Sequence, residues 1–201
     1  KELRTLRKIG SPLQGHPYRK MLRGVETTSG PLGEGLSQAI GMALAARLDS
    51  SINSLQARKK YRVYCVMSDG EQDEGMVWEA AMAAGKYRLS NLTAVIDRNN
   101  IQSDGFTEDI MPLESLREKY ESFNWYVMEV DGHNIEAFVD AVNEAKAVYE
   151  KPTAIIAHTV PGKGVDFMEA DYVWHSHRVK KEEAKKALAE LKTLRNKIKE
   201  S

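Results

Sequence analysis

Asp69 and Asn99 stand thirty residues apart, each at the end of a short apolar run. The first run reads Tyr61-Arg-Val-Tyr-Cys-Val-Met-Ser-Asp69-Gly70-Glu71, the second Leu92-Thr-Ala-Val-Ile-Asp-Arg-Asn99-Asn100-Ile101. A carboxylate, an amide oxygen and the Ile101 carbonyl are hard oxygen donors. Such a set suits Mg²⁺, which keeps phosphate oxygens and water in the rest of its octahedral shell. Gly70 offers a backbone amide that a phosphate can approach with no Cβ in the way. The plainer reading is a pair of strand-end turns in which Asp and Asn bond nearby backbone, and spacing alone does not separate the two. Two loop histidines, His16 in Gly-His-Pro and His175 in Trp-His-Ser-His, are of a type suited to proton transfer near neutral pH. A single loop histidine is, however, more often structural.

These side chains need a scaffold that brings them to one edge. The two runs have the length of buried parallel strands. Between them, Gly75–Leu89 has helical character, so the unit is strand, turn, helix, strand. Both polar clusters then fall at carboxyl ends of neighbouring strands, where open α/β sheets bind ligands. The remaining expectations follow the same alternation. Residues 1–33 read as an irregular arm rich in Gly and Pro. A helix of small apolar residues starts at Glu34, and Ser50–Lys60 reads as a polar loop. Strands are expected over Tyr61–Met67, Leu92–Asp97, Trp125–Val130 and Thr153–Thr159. Helices are expected over Leu113–Phe123 and Asn134–Tyr149, with loops over 100–111 and 160–178. Lys180–Lys199 reads as a charged amphipathic helix. The fold class is therefore α/β, a mostly parallel sheet flanked by helices on both faces. Residues 1–201 form a single domain, with an α/β core over 34–178 and the C-terminal helix over 179–201.

The bulk properties narrow the partners. Basic and acidic residues balance at 29 each, so nothing draws the chain to nucleic acid or an anionic membrane. No apolar run approaches the ~20 residues of a membrane span, and the opening residues do not read as a secretory signal. Cys65 is the only cysteine, so no intrachain disulfide forms, and a reducing cytoplasm fits.

The pattern resembles the thiamine diphosphate motif, in which Asp-Gly is followed about thirty residues later by Asn. It resembles more narrowly the N-terminal, diphosphate-binding section of transketolases. The resemblance rests on Gly15-His16-Pro17, Glu26-Thr-Thr-Ser-Gly30-Pro31-Leu32-Gly33-Glu34-Gly35, Asp69-Gly-Glu-Gln-Asp-Glu74-Gly75, Asp97-Arg-Asn99-Asn-Ile101-Gln-Ser-Asp-Gly105, Asp131-Gly-His-Asn and Trp174-His175. They follow the family's order at compatible spacings. The family usually has Gly where Ser68 stands and commonly Gly where Asn100 stands; neither change removes a ligand. Pro161-Gly162-Lys163-Gly164 resembles a stretch of the two-gene, split transketolases.

The resemblance implies a role for each matching position. Asp69, Asn99 and Ile101 would hold Mg²⁺, with Ca²⁺ or Mn²⁺ as substitutes. Gly30, Pro31, Leu32, Gly70, Glu71, Asn99 and Ile101 would contact thiamine diphosphate, the Gly30 turn lying along the aminopyrimidine ring. His16 and His175 would face substrate, with His177 as an extra histidine of mild effect. Glu74 joins them as a catalytic-set residue: with Glu79 it would meet its symmetry mates at a subunit interface and link two active sites. Trp78, Met76 and Met82 also argue against a solvated helix face there. His133 reads as a structural or capping element, His158 as structural, and Lys163 as an exposed loop lysine. The implied reaction is transfer of a two-carbon ketol unit from a ketose phosphate to an aldose phosphate. The family's activating Glu lies on a separate pyrimidine-binding domain, which is not seen here. Nor is the family's further upstream helix and glycine-histidine motif. The remainder would come from a partner, expected to be a C-terminal transketolase subunit in an α2β2 assembly, or from the rest of a longer chain. Competing readings are a deoxyxylulose-phosphate synthase, the α subunit of a 2-oxo-acid dehydrogenase, or a non-catalytic cofactor-binding module. Gly-His-Pro and Trp-His weigh against the other enzymes, and the retained Asp69, Asn99, His16 and His175 against the module.

Overall fold

The computed structural model describes residues 2–52 and 61–200. Its elements run α1 (Glu34–Ile52), β1 (Val63–Ser68), α2 (Gly75–Lys86), β2 (Leu92–Arg98), β3 (Ile101–Gln102), β4 (Gly105–Phe106), α3 (Thr107–Ile110), α4 (Leu116–Ser122), β5 (Tyr126–Asp131), α5 (Ile135–Ala147), β6 (Thr153–His158) and α6 (Lys181–Glu200). The main sheet is parallel, in the order β1-β2-β6-β5. β3 and β4 form a separate two-stranded antiparallel hairpin.

The strand registers explain the core. Cys65 pairs with Ala94, Ala94 with Ala154, and Ala154 with Val127. Side chains alternate faces along a strand, so these rows and their neighbours two residues away present one continuous apolar face. α1, α2 and α4 pack on it, through Leu36, Ala43, Val77, Ala81, Ala84, Leu116 and Tyr120. The opposite face, with Val95, Ile155 and Ala157, is covered by α5 through Ala141. The second face is open over β1, where Tyr64 and Val66 are exposed. Small residues in α1 and α2 allow close approach of backbone to sheet. Gly85 on α2 makes a different close contact, with the turn after α4: an added Cβ there would lie 1.8 Å from the Phe123 carbonyl oxygen.

Boundaries differ from expectation where local chemistry wins. α1 continues through Ser50 to Ile52, and the rest of the expected loop, 53–60, lies outside the described residues. α4 begins at Leu116, not Leu113, because the Ser115 side chain accepts from the Glu118 amide and caps the helix there. α5 is likewise capped by Asn134, whose side chain accepts from the Ala137 amide, so His133 is not the cap. The segment 100–111, expected as a loop, contains the β3–β4 hairpin and α3. Among the described residues no helix is long and apolar enough to cross a membrane.

Candidate functional site

β1 and β2 are paired so that Ser68 lies opposite Asp97, and the Asp69 amide extends the ladder by donating to the Asp97 carbonyl. Asp69 and Asn99 thus leave adjacent strands at the same edge. The two turns are stitched together: the Asn100 amide donates to Asp69 Oδ2 at 2.6 Å. Asn100 adopts φ 67°, a left-handed conformation that Asn tolerates and Gly adopts freely. That is the physical reason Asn or Gly suits this position. The Ile101 amide donates to Asn99 Oδ1 at 3.1 Å.

Asp69 is fully buried, as is almost all of Arg98 beside it. Burial raises the proton affinity of the Asp69 carboxyl above the ordinary range, against the bonds from Asn100, Arg98 and Gly70 that lower it. The Gly70 amide, expected to face phosphate, here donates to Asp69 Oδ1 at 2.7 Å. Glu71, expected beside the cofactor, turns both oxygens to backbone amides: Oε1 accepts from Gly33 at 2.7 Å and Oε2 from Ser68 at 3.2 Å. It therefore ties the Gly30–Gly33 turn to the end of β1. Ser68 contributes a 3.0 Å bond in return, its Oγ accepting from the Glu71 amide.

An open cavity of about 580 Å³ lies at the carboxyl ends of β2, β6 and β5, lined among others by Asp97, Asn99, Ile101, His133, His175 and His177. Asp69 lies behind the cavity wall rather than on it. Thr159 Oγ1 donates to Asp97 Oδ1 and joins β2 to the loop after β6. His133 Nε2 accepts from the Val160 amide at 2.7 Å, so this ring is held on the cavity wall and its proton resides on Nδ1. His175 is exposed. His177 is half-buried, edge-on to Trp174 with centroids 4.6 Å apart, and bonded to Glu183 at 3.1 Å.

The N-terminal arm forms a second group. The Ser29 amide donates to the Pro17 carbonyl, which brings Gly30 under His16. An added Cβ at Gly30 would lie 2.8 Å from the His16 ring. Gly33, at φ 82°, closes the turn against Glu74, where a Cβ would meet the Glu74 Cβ at 3.0 Å. His16, Gly30, Gly33 and Glu74 are therefore contiguous, but none of them lines the cavity. Pro31 and Leu32 are exposed. Glu74, just before α2, and Glu79, on it, are exposed, as are Met76 and Met82. Trp78 instead turns inward against Tyr120 and Phe123 and donates to the Gln72 carbonyl. It provides no reason for an interface. Among the described residues no three His, Cys, Asp or Glu side chains cluster as a metal-holding group. A divalent ion here would depend on one carboxylate, an amide oxygen and a backbone carbonyl.

Sequence reasoning passed over Arg98, Asp97 and Thr159. The available signal was the adjacent Asp97-Arg98 pair closing an otherwise apolar strand.

Residues 1–194 match the family model described as transketolase, thiamine diphosphate binding domain. A 6-deoxy-6-sulfo-D-fructose transketolase subunit, SqwG, from Clostridium sp. (strain MSTE9) is 42% identical over 189 residues, covering 94% of this chain and 66% of the relative. One of the subunits of an apulose-4-phosphate transketolase from Phocaeicola vulgatus is 43% identical over 171 residues, 85% of this chain and 58% of the relative. The chain thus spans less than two thirds of the length of these curated relatives. Solved structures share the fold. Transketolase from Campylobacter jejuni superposes with a TM-score of 0.84 at 31% identity, over 94% of this chain and 29% of that one. A Pichia stipitis transketolase complex with sedoheptulose-7-phosphate gives 0.87 at 31% identity, over 94% and 28%. With a family model spanning nearly every residue and the same sheet in solved relatives, the chain belongs to the transketolase family and carries its thiamine diphosphate binding domain.

Proposed function

We propose that this chain supplies the diphosphate-binding half of a thiamine diphosphate-dependent transketolase, moving a two-carbon ketol unit from a ketose phosphate to an aldose phosphate. The observation that carries the reading is the meeting of Asn99, Ile101 and three histidines on one cavity at the carboxyl edge of the sheet, in a chain of this family. The donor chemistry fits a hard divalent cation. Asp69 is a buried carboxylate with an acceptor position to spare on Oδ1, and Asn99 Oδ1 accepts one amide and keeps a second lone pair. Asp69, Asn99 and the Ile101 carbonyl would hold Mg²⁺, for which Ca²⁺ or Mn²⁺ could substitute.

Thiamine diphosphate, when bound, supplies the electron sink for carbon–carbon cleavage. The chain's own residues position and exchange protons. His16, seated on Gly30, and His175, on the cavity rim, hold and move protons at substrate hydroxyl oxygens. Glu71 keeps the Gly30–Gly33 turn in register with the Asp69 turn. Glu74, with Glu79, sits at a contact between subunits. The remaining groups, including the carboxylate that activates the pyrimidine, come from a pyrimidine-binding partner in an α2β2 assembly, working in the cytoplasm. Coexpression with such a partner, then an assay of ketol transfer across several sugar phosphates, tests the activity. The metal is tested by Asp69→Ala. Calorimetry on the assembled complex should show Mg²⁺-dependent cofactor binding weakened at least about tenfold, or about 1.4 kcal/mol; unchanged affinity would remove the metal site.

A further inference from the structure

Arg98 is a buried cation to which the proposed chemistry gives no work. It ends β2, one residue before Asn99, and is 2% exposed. A buried guanidinium is tolerated only when its donors are satisfied, and here every N–H is used. Nε donates to Glu114 Oε1 at 3.2 Å; one terminal nitrogen donates to Asp69 Oδ2 at 3.1 Å and Thr107 Oγ1 at 2.7 Å; the other donates to Glu108 Oε1 at 2.7 Å and Glu114 Oε1 at 2.9 Å. Thr107, Glu108 and Glu114 all follow the β3–β4 hairpin that begins at Ile101. Arg98 therefore locks the segment carrying Ile101 to the carboxylate of Asp69.

The acceptor count on Asp69 is informative. A carboxylate has about four lone-pair positions. Oδ2 receives both the Asn100 amide and Arg98, whereas Oδ1 receives only the Gly70 amide. We propose that Arg98 is a positioning residue for the cation site: it saturates Asp69 Oδ2, fixes the carboxylate plane, and leaves Oδ1 as the oxygen that takes the divalent ion. This rests on the metal reading above. Arg98 would then help cation binding in spite of its charge. Glu108 and Glu114 offset that charge, and the contribution of Arg98 is orientation, as for other partners of metal-ligating side chains.

Two ideas about Arg98 predict opposite signs. If it acted only as a nearby positive charge, Arg98→Met would tighten cation binding and Arg98→Lys would leave it unchanged. Positioning predicts that both weaken it, about 10-fold to 100-fold. The probe is Mn²⁺, titrated with thiamine diphosphate into the complex of the full chain with its pyrimidine-binding partner, free ion being read by electron paramagnetic resonance and folding by circular dichroism. Unchanged or tighter Mn²⁺ binding by folded Arg98→Lys or Arg98→Met would overturn the proposal. Asp69→Asn separates the two levels. If it weakens Mn²⁺ binding while Arg98→Lys does not, the metal reading stands and the role of Arg98 fails. If Asp69→Asn itself has no effect, the metal reading fails. Should both Arg98 variants misfold, a crystal structure of the Mn²⁺-loaded wild-type complex with the partner decides: the ion on Oδ1 alone supports the proposal, and the ion on Oδ2 overturns it.

Discussion

The candidate chemistry rests on a few side chains whose neighbours define what they can do. His16 and His175 are exposed and carry no bonds that would pin them as structural groups among the described contacts. His16→Ala and His175→Ala should lower turnover of the assembled enzyme by roughly 10²–10⁴-fold, with cofactor affinity little changed. Equal losses in both quantities, separated by steady-state kinetics and calorimetry, would place these residues on the cofactor instead. His177 is braced by Glu183 and Trp174, so His177→Ala should loosen the 160–178 loop and reduce turnover less. Cys65 illustrates the opposite situation. Burial, then the nearby Glu71 charge, pushes its thiol up to about 12. The thiolate is the reactive form, so Cys65 should resist alkylation at pH 8 while the chain is folded and react promptly once it is unfolded in urea. Prompt modification of the native chain would show that α1 and α2 do not seal the sheet.

At the scale of elements, the spacing between neighbouring elements is set by a few contacts that can be broken singly. Gly85 allows the turn after α4 to lie directly on α2. Gly85→Ala would drive a methyl group into the Phe123 carbonyl, and because that obstacle is backbone, the two elements must separate. The expected loss is about 3 kcal/mol or more, at the upper end of overpacking effects, seen as a lower urea midpoint. At the other end of the sheet, Glu129 on β5 bonds His158 on β6 at 2.8 Å and Arg117 on α4 at 2.7 Å. The His158 bond first, then Arg117, hold its carboxyl below the ordinary range despite partial burial. Its folded-state pKa is thus below the unfolded value of ~4.3. The stabilisation is fully present above pH ~4.3 and is lost as pH falls through the lower folded-state value. Because the side chain is more than a third exposed, Glu129→Gln should cost only about 0.5–1 kcal/mol at pH 7. It should also flatten the acid limb of a stability–pH curve; a parallel curve would show that the pair is fully screened.

For the whole molecule, the question is whether one chain makes one site. The described residues hold two groups, the arm around His16 and Gly30 and the cavity around Asn99 and His175, joined through Glu71 and the Asp69 turn. The proposed assembly predicts that the purified 201-residue chain binds thiamine diphosphate weakly and transfers no ketol unit. Adding the pyrimidine-binding partner should bring tight binding and activity together, because a ligand bound across the junction stabilises the assembled state. Steady ketol transfer by the chain alone would falsify the half-site reading.

What the sequence determined by itself was periodic and local. Apolar runs of strand length ending in oxygen-bearing residues, separated by helical segments, specified a parallel α/β sheet with Asp69 and Asn99 on its carboxyl edge. The structure has that sheet, and the ordered Gly-His-Pro, Gly-Pro-Leu-Gly and Asp-Gly motifs were enough to indicate the family. Long-range side-chain pairing was not legible, because it has no period. Nothing in the spacing of residues 98, 107, 108 and 114 announces that a buried guanidinium would gather them around Asp69. Nor does Glu71, one residue past Gly70, announce that it would reach back to the Gly33 amide rather than face a ligand. Trp78 has the spacing of either face of α2, and only the aromatic cluster with Tyr120 and Phe123 turned it inward. Backbone elements follow from local propensity and burial pattern. The destination of each polar group follows from which donors the packed sheet leaves unsatisfied, and tertiary structure alone decides that.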